Sequence, residues 1–196
     1  MRVRARHRRT LGALVGIALV VAIGVAVLRV NHAVNELTLP LSDASVIREQ
    51  AAAKHLDPAL IAAVIYAETK FEPRTSSAGA EGLMQIEPAT AQFLAHLSGG
   101  YRFTTSDLAT PSVNVAYGSY YLRYLLDHYN GNEMLAVAAY NGGLANVDNW
   151  VAHANAAGHP LTVAAIPFPE TREYVQRVLS AQRAYRATYR RQLGIA

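Results

Sequence analysis

The 196-residue chain contains no cysteine. That absence removes disulfide frameworks, thiolate zinc sites, cysteine nucleophiles and a lipid-modified cysteine anchor in one step. Also missing are an HExxH zinc motif, a GxSxG nucleophile elbow, a phosphate-binding glycine loop and a dinucleotide fingerprint, and the seven histidines fall at no metal-ligand spacing. No stretch alternates apolar and polar residues cleanly at period two, which argues against a half-buried sheet. Internal repeats and low-complexity linkers are lacking too.

Positive charge is scarce once the first thirty residues are set aside. Arg2, Arg4, Arg6, Arg8, Arg9 and Arg29 lie there with no acidic residue among them. The remainder, 31–196, carries 12 basic against 14 acidic residues, so the basic character of the chain belongs to its N-terminal segment. A nucleic-acid binder would carry a basic face on its folded domain. The only cluster there is Arg183, Arg186, Arg190 and Arg191, which reads as a solvated helix end that complements the helix dipole. No nucleic-acid partner is expected.

The N-terminal segment holds the one long apolar run. Leu11–Leu28 has no charged side chain, and at about 1.5 Å per residue it would span about 27 Å, close to a hydrocarbon core. The arginines before it favour a cytoplasmic N-terminus and an external remainder. The expectation is a single-pass membrane anchor over residues 1–30. A cleaved signal peptide is the alternative, but its apolar core is typically only about 7–15 residues and ends in a small-residue cleavage site. Residues 31–42 read as a stem and 43–196 as the folded domain.

Helical signals dominate that domain. A helix is expected over 43–55, and Asp57–Pro58 pairs a cap with proline at the first helical position, starting a helix that runs to about Thr69. Residues 70–83 read as a loop. Further helices are expected from Pro88 to about Leu97, over Pro111–Tyr129 and Glu133–Tyr140, and around Ala145–Ala156. A proline-containing loop follows at Pro160–Pro169, and then a long closing helix over Glu170–Arg191. The fold class is all-α, with about seven to nine helices.

In the helix after Pro58, Leu60, Ile61, Val64, Ile65 and Glu68 share one stripe by their i, i+3, i+4 spacing. This places a carboxyl on an apolar face near a helix C-terminus, and both features disfavour its ionised form. A carboxylic acid kept protonated near neutral pH is what a glycosidase uses to protonate a leaving oxygen. Position alone leaves another reading open, a boundary glutamate that reaches water or pairs with Lys54 or Arg74.

Four ordered blocks bear on that choice. Residues 67–91 read AETKFEPRTSSAGAEGLMQIEPATA. The other three are TPSVNVAYGSYYLRYLL at 110–126, AVAAYNGGLANVDNW at 136–150 and FPETREYVQRVL at 168–179. Together they closely resemble the soluble lytic transglycosylase (SLT) family, which has a lysozyme-like fold, and they span about residues 45–190. The matching features include Glu68, Phe71, Pro73, Gly79–Ala80, Gly82–Leu83–Met84–Gln85, Pro88, Tyr140–Asn141–Gly142 and the closing Glu-Thr-x-x-Tyr-Val element.

The resemblance implies a peptidoglycan enzyme of the cell envelope that uses no metal or other cofactor. Glu68 would protonate the oxygen linking N-acetylmuramic acid to N-acetylglucosamine. It would then accept the proton of the 6-hydroxyl as that oxygen closes to a 1,6-anhydro end. Ser77, Gln85, Glu87, Tyr140, Asn141 and Tyr174 would bind substrate. The segment between Glu68 and Gly79 is one residue shorter than in many relatives, so the motif serine is either Ser76 or Ser77. Thr69 replaces the commoner serine but keeps a hydroxyl. Glu87 stands where many relatives carry an apolar residue, and reads either as an extra cleft carboxylate or as a first-turn acid at Pro88. A hydrolytic muramidase, which usually needs a second carboxylate, and an inactive wall-binding scaffold are the competing functions. Leu83, Met84 and Phe71 are expected in the core.

Overall fold

The computed structural model describes residues 39–195 except Tyr101, together with residues 20, 21, 23 and 24. The expected anchor, Leu11–Leu28, lies outside the described residues apart from those four. Among the described residues no helix is long and apolar enough to cross a membrane.

The folded unit starts at Leu39, earlier than the expected boundary at 43. Two tyrosines at the end of the last helix, one in its final turn and one capping it, account for this. Tyr185 donates its hydroxyl to Pro40 O at 2.6 Å and Tyr189 donates to Leu39 O at 2.8 Å, and Leu39 is itself buried. The end of the expected stem, Leu39–Pro40, is thus laid down on the domain.

Among the described residues seven α-helices follow, with two short 3₁₀ turns (Thr105–Ala109 and Val163–Ala165) and one hairpin. The helices are α1 Ala44–Lys54, α2 Pro58–Thr69, α3 Pro88–Ser98, α4 Pro111–His128, α5 Glu133–Gly142, α6 Leu144–Ala156 and α7 Pro169–Thr188. Four of them open on proline at the first turn, where the missing N–H has no partner to lose. The expected closing helix is shorter than the sequence suggested: α7 ends at Thr188 and residues 190–194 form turns that tuck Leu193 into the core.

Helix α2 is the centre of the folded unit. Every residue from Ala59 to Ile65 is buried, not one stripe alone. Alanines alternate with the larger residues and let α1 and α7 pack closely on it. Asp57 fixes where α2 begins. One carboxylate oxygen accepts from Ala59 N at 3.0 Å, while the other accepts from Gln182 at 2.8 Å and Arg186 at 2.7 Å on α7. Arg186 thereby serves as an interhelix partner and not only as a solvated helix end. A lost N-cap costs typically about 1 kcal/mol, and charge-assisted bonds add to it. Asp57→Ala is expected to lower stability by about 2 kcal/mol in a urea titration, with the m-value unchanged.

The segment read as a loop contains a short antiparallel hairpin. Strand β1, Arg74–Thr75, pairs with β2, Glu81–Gly82, in the register Arg74 with Gly82 and Thr75 with Glu81. Two residues per strand are too few to show any hydrophobic alternation. Gly82 holds φ at 74°, and a Cβ there would meet the buried Asn114 amide and approach Leu108 O at 2.8 Å. Both facts require glycine. Leu83 and Met84 are buried, as is Phe71, in line with their expected core role.

Candidate active site

The end of α2, the hairpin, the start of α3 and the facing sides of α4 and α5 enclose a cleft of about 360 Å³. Glu68 reaches it from the last turn of α2. Oε1 accepts a hydrogen bond from the Tyr174 hydroxyl at 2.6 Å, and the Glu68 carbonyl accepts from Arg74 Nη2 at 2.6 Å. Burial pushes the Glu68 carboxyl up to about 7, against the opposing pull of the Tyr174 bond and the charges of Arg177 and Arg74. This group can give up a proton and take one back near neutral pH.

Tyr174 is 2 % exposed, and burial together with the nearby Glu68 charge holds its hydroxyl well above the usual phenol range. It therefore stays a donor to the carboxylate. The Arg177 guanidinium lies 5.9 Å from the centre of its ring. Tyr140 donates to Met84 O at 2.9 Å, which ties α5 to the hairpin segment. Its ring faces the cleft beside Tyr121, with ring centres 5.3 Å apart. Removing the Tyr174 hydroxyl removes the hydrogen bond that favours ionised Glu68. Tyr174→Phe is expected to move the alkaline limb of the kcat profile to higher pH while lowering the maximum, readable from initial rates across pH 5–9.

The structure divides the expected binding residues. Gln85, Glu87, Tyr140 and Asn141 line the cleft with Glu68. Gln85 has φ of 47°, and its amide nitrogen donates to Arg74 O at 2.7 Å and Gly82 O at 2.9 Å. Both amide hydrogens are thus committed to the hairpin backbone, and the carbonyl oxygen is the group it presents to the cleft. Asn141 Oδ1 accepts from the buried Thr171 hydroxyl at 2.8 Å, which leaves its NH₂ for a ligand.

Of the two candidate serines, Ser76 lines the cleft, while Ser77 is exposed at the hairpin turn and does not. Ser76 closes that turn, donating its N–H to Ala80 O at 2.8 Å and accepting Ala80 N–H at its hydroxyl at 2.9 Å. Tyr174 supports Glu68 from behind and is not among the lining residues. Glu87 is the N-cap of α3, yet its carboxylate makes no capping bond.

Sequence reading missed several supports. Asn114, fully buried at the start of α4, accepts from Met84 N at 2.8 Å and donates to Glu81 O at 2.8 Å and Leu108 O at 3.1 Å. One amide thus holds both sides of the hairpin exit. Its signal was a polar residue amid the apolar positions of block 110–126. Thr69 donates to Leu83 O at 2.8 Å, which explains the hydroxyl retained beside Glu68. Tyr121 and Thr90 also line the cleft.

The fold is mostly helical, and a carboxyl held above its ordinary range lies in a polar cleft, an arrangement consistent with a lysozyme-like domain. Comparison with known proteins gives the family. Residues 45–161 match the transglycosylase SLT domain model and 165–195 the soluble lytic transglycosylase helical domain model. The chain belongs to the soluble lytic transglycosylase family. It is 34 % identical over 165 residues to the soluble lytic murein transglycosylase of Escherichia coli K12, covering 81 % of this chain and 24 % of that protein. It is 31 % identical over 160 residues to membrane-bound lytic murein transglycosylase C of Salmonella paratyphi B, covering 70 % and 44 %. An inactive glutamate-to-glutamine mutant of lytic transglycosylase Slt from Pseudomonas aeruginosa superposes with a TM-score of 0.70 at 32 % identity, covering 78 % of this chain and 25 % of that one. The chain thus spans about a quarter of the length of its soluble relatives.

Proposed function

We propose that the protein is a peptidoglycan lytic transglycosylase that breaks the β-1,4 bond between N-acetylmuramic acid and N-acetylglucosamine without water, with Glu68 as its single acid and base. The observation that carries this reading is a cleft carboxyl pushed up to about 7 and bonded to a buried tyrosine hydroxyl. Glu68 gives its proton to the bridging oxygen as the bond from that oxygen to the muramoyl anomeric carbon breaks. The 6-hydroxyl oxygen of the same muramoyl residue bonds to that carbon, and its proton passes to the Glu68 carboxylate. The product is a 1,6-anhydro end, and the enzyme returns to its starting protonation state. Tyr174 supports the second half by stabilising the carboxylate that the first half creates. Asn141 NH₂, the Gln85 carbonyl and the Ser76 hydroxyl offer polar contacts to sugar hydroxyl and acetamido groups, and Tyr140 and Tyr121 offer aromatic faces.

The second reading, a hydrolytic muramidase, is favoured by one observation: Glu87 lines the same cleft. Mass spectrometry of digested, purified sacculi separates the two. Anhydro-muramoyl ends support the lyase, and reducing muramoyl ends refute it.

The segment 1–30 is proposed to anchor the domain in the cell membrane with its N-terminus in the cytoplasm, supported by the arginines before an uncharged run of 18 residues. Carbonate extraction of membranes would retain an anchored protein and release one whose segment has been cleaved.

A further inference from the structure

A row of aromatic rings leads away from the cleft wall at Tyr121. Four aromatic rings follow one another from that wall to the surface: Tyr140 on α5, Tyr121 and Tyr124 on α4, and Phe93 on α3. Tyr140 and Tyr121 have ring centres 5.3 Å apart, Tyr121 and Tyr124 6.4 Å apart with planes only 14° from parallel, and Tyr124 and Phe93 5.5 Å apart edge to face. The last of these, Phe93, is 44 % exposed although it sits on a helix whose core face is supplied by Ala91, Leu94 and Ala95. Tyr121 and Tyr124 are each partly exposed. Core packing thus does not account for Phe93, and large exposed apolar groups continuous with a binding cleft mark a ligand surface.

We propose that Phe93 and Tyr124 form an outlying platform for the glycan strand, beyond the sugars held in the cleft, so that the domain grips long strands in preference to short ones; this rests on the glycan-cleaving function proposed above. Pyranose rings carry an apolar C–H face that stacks on aromatic rings, and rings presented in series offer successive sugars a repeated contact that needs no specific hydrogen bond. The occupant is a glycan strand because the rings continue from Tyr121, a residue of the cleft wall, and because Thr90, on the helix that carries Phe93, and Glu87 at that helix's N-cap line the cleft itself with groups that can meet sugar hydroxyls. A docked protein would have no reason to follow the cleft.

The test measures binding with the Glu68→Gln protein, so that substrate is not consumed. Long uncrosslinked glycan strands and a tetrasaccharide are titrated onto this protein alone and onto versions that also carry Phe93→Ala, Tyr124→Leu or Phe93→Tyr. The expected result is that Phe93→Ala weakens strand binding about tenfold more than tetrasaccharide binding. Tyr124→Leu should act in the same direction, and Phe93→Tyr, which keeps the ring, should restore the parent's preference. Equal losses on both ligands, or no loss on either, would overturn the platform and leave the catalytic reading standing. Failure of the Glu68→Gln protein to bind any glycan would overturn both. Thermal melting of each variant checks that the fold is kept, and the exposure of Phe93 makes that the expected outcome.

Discussion

Glu68→Gln is expected to abolish cleavage and stabilise the fold. The two effects have one cause, and together they are hard to obtain from a residue with a merely structural role. Glutamine keeps the shape and the acceptor oxygen for Tyr174 but cannot transfer a proton. General acid–base catalysis is worth typically about 10²–10⁴-fold, and one group here serves both halves of the reaction, so kcat should fall by at least about 10³-fold. The stability effect follows from linkage. The carboxyl is raised from 4.5 to about 7 in the folded protein, so between those values the folded state binds more protons than the unfolded chain. Stability therefore falls as pH rises from about 4.5 to 7, and above pH 7 the ionised group carries a constant cost of about 3 kcal/mol. Glutamine removes that cost. At pH 8 the mutant should melt higher than the parent by on the order of 10 °C, and the two should converge below pH 5. Calorimetry across pH 4–8 reads this directly. A mutant that loses activity and also melts lower at pH 8 would contradict the account of Glu68.

Asn114→Ala is expected to produce the largest loss of stability. Its amide serves Met84 N, Glu81 O and Leu108 O at once, at a site with no solvent access. Alanine would strand these backbone groups, each at a cost of about 1–3 kcal/mol when buried, with some relief from relaxation. A loss of about 3 kcal/mol in a denaturant titration is the expected outcome. Activity should fall as well, because the hairpin exit it holds carries Gln85, which lines the cleft with Glu68. Asn114→Asp separates the contributions, since it keeps the acceptor for Met84 N but no longer donates to Glu81 O and Leu108 O. Its expected loss is at least as large as alanine's at neutral pH, where it buries a charge.

The helices were legible because each carries its own punctuation. Asp57–Pro58, Pro88, Pro111 and Asn132–Glu133 mark starts by local chemistry, and the observed boundaries fall within a few residues of those expected. The hairpin was not legible, because strands of two residues leave no periodicity to read and one of their supports is Asn114, some 33 residues away from Glu81 in sequence. The end of α7 was missed for a similar reason. Tyr185 and Tyr189 look like a continuing helical stripe, but their hydroxyls are spent on Pro40 and Leu39 at the far end of the domain.

The site divides in the same way. Glu68 could be placed from its helix stripe and its motif together. Which serine faces the cleft depends on a turn closed by Ser76 and Ala80, and residue type alone does not distinguish Ser76 from Ser77. Gln85 reads from its side chain as a sugar ligand with both donor and acceptor, yet its left-handed backbone turns the amide onto Arg74 O and Gly82 O. Long-range backbone partners of this kind leave no mark in a local pattern.

The most direct test of the central claim, a lone acid/base that uses no water, is digestion of purified sacculi in ¹⁸O-labelled water by the parent, Glu68→Gln and Glu87→Gln proteins, with mass spectrometry of the muropeptides. The account predicts unlabelled 1,6-anhydro ends from the parent and from Glu87→Gln, and no new ends from Glu68→Gln. Labelled reducing ends that disappear in Glu87→Gln would contradict it and make the enzyme a two-carboxylate muramidase.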